Sequence, residues 1–193
     1  MAKDILVIDI ETKNTFFDVG GQGNIDKLEM SVTVVYSYNE DKYLSFWEKD
    51  VEELGRRMKD AGMIVGFAIN RFDLPVLEKY FDYSTKALKR LDLLEEIELS
   101  VGRRIGLDLL AHANIGTGKT HNGLDAVKFW NEGNLKELED YCRNDVKVTK
   151  EVYDLAKLQG FLVMPEKLSE NMIRVDLDIE RKVREMMNEN TLF

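Results

Sequence analysis

The chain has 193 residues, 44% of them hydrophobic, with 13 glycines and 2 prolines. That suits one domain, or one domain with a small appendage, and excludes a fibrous or low-complexity chain. The formal charge of −9, from 27 basic and 36 acidic residues, argues against a non-specific duplex binder with a broad basic surface, although bound metal ions can supply local positive charge. The lone Cys142 excludes an intrachain disulfide, and with two histidines it makes no closed zinc site without carboxylate help.

The apolar run before Asp9 is too short for a signal peptide or a membrane span, so a cytoplasmic location is expected. Ile5 to Ile10 (ILVIDI) is β-branched and apolar and predicts a buried central strand. Residues 13–29 are polar and glycine-rich and predict a loop. Ser31 to Tyr38 and Tyr43 to Trp47 flank a turn and predict a hairpin. Asp50 is placed to cap a helix that runs to about Ala61 and closes at Gly62. A fourth strand, Met63 to Ala68, is followed by a helix from about Asp73 to Phe81, with Pro75 in its first turn.

Residues 86–101 hold a short apolar piece and then helix, and residues 104–115 are helical by pattern. Residues 116–123 (GTGKTHNG) form a loop. Two helices follow, at about 124–132 and 135–159, the second closed by Gly160. The last residues offer one strand (MIRVDLD) and an amphipathic helix (IERKVREMM). Strand, hairpin, helix, strand and then mostly helices describe an α/β fold, a mixed sheet flanked by helices. The division expected is a domain over 1–160 and a C-terminal extension over 161–193, which packs on the domain or mediates association.

Three segments carry chemistry. Asp9 and Glu11 sit two apart at the end of a strand, so both side chains project to one face. Paired carboxylates there call for a cation, and magnesium held by carboxylates and substrate phosphate fits. Alone, the pair is more often a strand running out into solvent, where acids are common. Asp73 begins a helix just past a strand, which by itself is a plain N-cap position. Asn70 and Phe72 add a polar group and an aromatic face that could meet a nucleotide. Tyr141 and Asp145, four apart on the long helix, share a face. Alone they describe an amphipathic helix with a boundary tyrosine.

In this order the three segments resemble the DEDD exonuclease superfamily, the DnaQ-like branch of the ribonuclease H-like fold. Tyrosine four before the last aspartate is similar to the tyrosine subgroup (DEDDy), which includes the proofreading exonuclease domains of family B DNA polymerases. In the histidine subgroup the corresponding residue lies five before that aspartate, and here that position is Asp140. GFAINRFDLPVL and YCRNDVKVT carry the likeness, which spans roughly residues 4–160.

The resemblance implies a 3′–5′ exonuclease acting on single-stranded DNA or RNA through two Mg2+ or Mn2+ ions. Asp9, Glu11 and Asp145 would hold the first ion. Asp9 and substrate phosphate would hold the second, with Asp73 acting through a water. Tyr141 would orient or help deprotonate the attacking water, and orientation is favoured, since a phenol with a pKa of about 10 is a poor base at neutral pH. Thr12, Asn70 and Phe72 are candidate substrate contacts. DNA repair is among the roles this chemistry serves, and a polymerase or helicase partner is undetermined.

Two other readings share the fold: a non-catalytic nucleic-acid-binding domain, and a structure-specific endonuclease. The intact set of four acids and the tyrosine weighs against the first, and the Tyr-x-x-x-Asp spacing against the second. Ala113 to Thr120 matches a loose phosphate-loop pattern, but helix rather than strand precedes it. Lys119 in that loop is a candidate substrate-phosphate contact. Arg103-Arg104 and Lys89-Arg90 either line a groove or sit on solvated faces.

Overall fold

The structure is a computed structural model that describes residues 3–117, 123–167 and 171–188. Strand β1 (Ile5–Thr12) is the centre of a five-stranded sheet. Its neighbours are β2 (Met30–Ser37), which pairs antiparallel, and β4 (Met63–Gly66), which pairs parallel. β3 (Lys42–Trp47) continues the sheet beyond β2, and β5 (Arg90–Asp92) beyond β4, giving the order β3-β2-β1-β4-β5.

The helices are α1 (Val51–Asp60), α2 (Asp73–Leu77), α3 (Leu93–Val101), α4 (Leu107–Ile115), α5 (Gly123–Glu132) and α6 (Leu135–Gln159). A second antiparallel pair, β6 (Phe161–Pro165) and β7 (Met172–Asp176), precedes α7 (Ile179–Asn188).

The period-2 alternation of β1 divides the core in two. Leu6, Ile8 and Ile10 face one side, where they join Leu54 and Met58 of α1 and Leu74, Val76 and Leu77 of α2. Val7 faces the other, against Tyr141, Cys142, Val146 and Val152 of α6 and Leu110 of α4. Asp9 and Glu11 continue the Val7 row. The alternation that buries Val7 under α6 therefore carries both acids toward that helix.

α6 runs 25 residues and ends where Gly160 takes φ 77° and its N–H bonds the Ala156 carbonyl. That left-handed cap suits glycine. Residues 161–167 and 171–188 are not peripheral in packing: Leu162, Met164, Val175, Leu177, Ile179 and Val183 are all buried in the α6-side core.

Two strands lie where the pattern predicted none. β5 occupies the apolar piece before α3, and β6 follows Gly160. β5 is three residues long, too short to show a period, and its existence depends on pairing with β4 across the intervening chain. The predicted helix from Asp73 is α2 only to Leu77, followed by a 3-10 turn at Glu78–Tyr80. The expected loop over 13–29 contains a 3-10 turn at Gln22–Lys27.

Candidate active site

The site forms where β1 outruns its parallel partner. β4 pairs with β1 only as far as Val7, so the next stretch of β1 has no strand partner on that side. A bulge between Glu11 and Thr12 shifts the β2 register there, and bulges re-aim the side chains beside them. Asp73 reaches across from α2, and its Oδ1 accepts the Ile10 N–H at 3.1 Å. This replaces the missing ladder bond and places a third acid beside the Asp9–Glu11 pair. α6 brings Tyr141 and Asp145 over the same end of β1.

One cavity of about 460 Å³ is lined by Asp9, Glu11, Thr12, Phe72, Asp73, Tyr141 and Asp145, with Phe67, Ala68 and the start of α4 closing its side. Asp73 and Asp145 are buried, at 3% and 1% exposure, and Tyr141 is 3% exposed. Asp9, Glu11 and Asp145 each offer a carboxylate oxygen within 4.8 Å of the others. Oxygens around a bound Mg2+ stand on the order of 3 to 4 Å apart, so a small side-chain adjustment suffices to close them on an ion. Three carboxylates this close inside a protein repel strongly unless a cation lies between them. The donor set therefore fits a hard divalent cation. Asp73 lies outside that trio, with one oxygen engaged by Ile10.

Burial pushes the Tyr141 phenol well above its ordinary pKa, and the charges of Asp145, Glu11 and Asp9 push it further. Both causes favour the protonated phenol, which suits a donor or positioning role. Cys142, which sequence reasoning left without a role, is fully buried behind β1. Its Sγ lies 3.3 Å from the Asp9 carbonyl oxygen and 3.7 Å from Asp9 Oδ2. Burial raises this thiol well above its usual range, so it remains an S–H donor that steadies Asp9. No sequence signal marks it, because the contact joins residues far apart in the chain.

The candidate substrate residues separate. Thr12 and Phe72 line both the acid cavity and an adjoining groove of about 300 Å³, built with Asn14, Thr15, Phe16, Phe17, Leu28 and Val127. Phe16 packs edge-on to Phe72, ring centroids 5.9 Å apart, and Phe17 is 91% exposed. These two phenylalanines also escaped the sequence reading. The Thr12 hydroxyl donates to the Asn14 carbonyl.

Asn70 faces the other way. Its side chain donates to Glu95, and it lines a neighbouring cavity with Leu74, Pro75 and Lys86. Lys119 lies outside the described residues. Asp108, exposed on the first turn of α4, adds a fifth carboxylate to the cavity mouth. The basic pairs considered for a groove are engaged elsewhere: Arg103 with the Pro165 carbonyl, Arg104 with Glu98, Lys89 with the Met186 carbonyl and Arg90 with the Thr85 carbonyl.

A family model described as RNase H superfamily matches residues 6–157, from the start of β1 nearly to the end of α6. The chain belongs to the RNase H superfamily. A search of curated proteins finds no match. Membership gives the mixed five-stranded sheet its family, an α/β ribonuclease H-like fold. With the carboxylate cluster at the end of β1, it supports nuclease-type hydrolysis of nucleic acid assisted by a divalent metal. Among the described residues of this RNase H superfamily chain, no helix is long and apolar enough to cross a membrane.

Proposed function

We propose that the chain is a 3′–5′ exonuclease of the DEDD tyrosine subgroup, releasing nucleotides from single-stranded 3′ ends. The observation that carries this reading is the convergence of Asp9, Glu11, Asp73, Tyr141 and Asp145 in one cavity, with the tyrosine four residues before the last aspartate. Asp9, Glu11 and Asp145 would hold a Mg2+ or Mn2+ ion. Asp9 with substrate phosphate would hold a second, assisted by Asp73. Such ions supply an activated water and charge stabilisation for an in-line displacement.

The chain's own groups do the rest. Tyr141, kept neutral by its surroundings, donates toward the attacking water and fixes its direction. Asp73 braces the Asp9–Glu11 strand through the Ile10 N–H. Cys142 holds Asp9 from behind. A single strand is favoured because the acids are recessed and the groove beside them is aromatic, suited to a base rather than to a paired duplex.

Incubation with 5′-labelled single-stranded DNA and RNA, in Mg2+, Mn2+ or EDTA, tests the reading. A ladder shortening from the 3′ end only in the presence of metal is the expected result. Discrete internal cuts would replace the reading with an endonuclease, and the absence of cleavage under every condition with a non-catalytic binding domain.

A further inference from the structure

Asp92 has no place in the chemistry above, yet it is densely bonded. It ends β5, is 3% exposed, and its two oxygens accept four backbone N–H groups. Two of these, Leu94 and Glu95, are the free donors at the start of α3, an ordinary N-cap. The other two, Ala68 and Asn70, at 2.9 Å each, belong to the turn between β4 and α2. A cap needs only the first pair.

That turn needs holding. Ala68 has φ 67°, a left-handed conformation that L side chains rarely adopt. Gly66, two residues before it, lies against β1, where a Cβ would meet the Ile8 carbonyl oxygen at 3.1 Å and clash with Ile69 Cγ2. The turn also carries Asp73. Two further acids of α3, at spacings of three, grip the same segment: Glu95 accepts from the Asn70 side chain and Glu98 from Arg71.

We propose that Asp92 is a positioning residue for the active site: together with Glu95 and Glu98 it clamps the strained turn at Ala68 and so seats Asp73 on the Ile10 N–H. Asn70 is then part of the clamp. The mechanical half of this inference is independent of the reaction, while its catalytic consequence rests on the exonuclease reading.

Amide hydrogen exchange on the whole chain tests the mechanical half. Asp92→Ser keeps an N-cap of comparable quality for α3 but has one oxygen in place of two. In that variant the Asn70 amide, which alone bonds the second oxygen, and the Ile10 amide should exchange at least about tenfold faster, while amides at the sheet centre keep their protection. If Ile10 stays protected while Leu94 and Glu95 alone change, Asp92 is a helix cap and nothing more, and the proposal fails.

Should Asp92→Ser not fold, the double variant Glu95→Ala with Glu98→Ala removes only half-exposed or exposed side chains and serves the same comparison. Faster Ile10 exchange is expected, and unchanged exchange overturns the clamp. In a cleavage assay Asp92→Ser should lower kcat by about tenfold with KM for the strand unchanged, the signature of a lost transition-state interaction. A wild type that cleaves nothing would sink the exonuclease reading and leave the exchange result to decide the clamp.

Discussion

Asp145 shows how burial and charge combine at a single residue. It is 1% exposed and lies within one carboxylate cluster with Asp9 and Glu11. Asp145→Asn preserves shape and removes one of three mutually repelling charges. Cleavage should vanish, while in EDTA the unfolding temperature should rise by roughly 2 to 4 °C, about 1 kcal/mol for a chain of this size. The wild type should gain further stability from Mn2+ by linkage, and the variant little. Retained cleavage, or equal stabilisation by Mn2+, would overturn the metal assignment.

Tyr141 makes a different prediction. Its phenol is raised above its ordinary value first by burial and then by Asp145, Glu11 and Asp9, so it does not lose its proton across the neutral range. Tyr141→Phe should lower kcat by about a hundredfold, the low end of the range for removing one aligned donor. The rate against pH should keep its shape in the variant, because the phenol does not titrate there. A step that disappears from the profile with the hydroxyl would make Tyr141 a base instead.

At the scale of elements, the site depends on two short segments. The first is the loop between β1 and β2, which extends Phe16 and Phe17 beside the cavity. Phe17→Ala removes a side chain that is 91% exposed, so stability should hold within about 0.5 kcal/mol. KM for a single strand should rise by about fivefold or more, corresponding to a lost base-stacking contact of 1 kcal/mol or more. An unchanged KM would remove the aromatic groove from the substrate path.

The second is the end of β4. Gly66 has no room for a Cβ between Ile69 and the Ile8 carbonyl, so Gly66→Ala should destabilise by about 1–3 kcal/mol, as overpacking does. Urea unfolding measures this, and a loss well below that range would mean the turn relaxes freely.

At the scale of the whole molecule, the question is how residues 161–188 relate to the catalytic unit. Leu162, Met164, Val175, Leu177, Ile179 and Val183 share one core with α4 and with α6, the helix that carries Tyr141 and Asp145. Leu162 is fully buried. Leu162→Ala should cost about 2–5 kcal/mol and lower the unfolding temperature of the entire chain in one transition. A separate early transition would show that the hairpin and α7 fold as an independent appendage.

The sequence by itself determined the parts that local pattern encodes. ILVIDIE specified a central strand whose alternation sends Asp9 and Glu11 to one face. Tyr141 and Asp145, four apart in a long amphipathic helix, had to share a side, and Gly160 had to end it. These follow from the periods of strand and helix, which need no partner to be read. Tertiary structure decided what depends on contacts between distant segments. It alone made a strand of β5, brought Asp73 to the Ile10 N–H, set Cys142 behind Asp9 and turned Asn70 toward Glu95. The four acids illustrate both halves: their order along the chain is sequence, but their convergence exists because β4 stops at Gly66 and leaves β1 to be completed by side chains from α2 and α6.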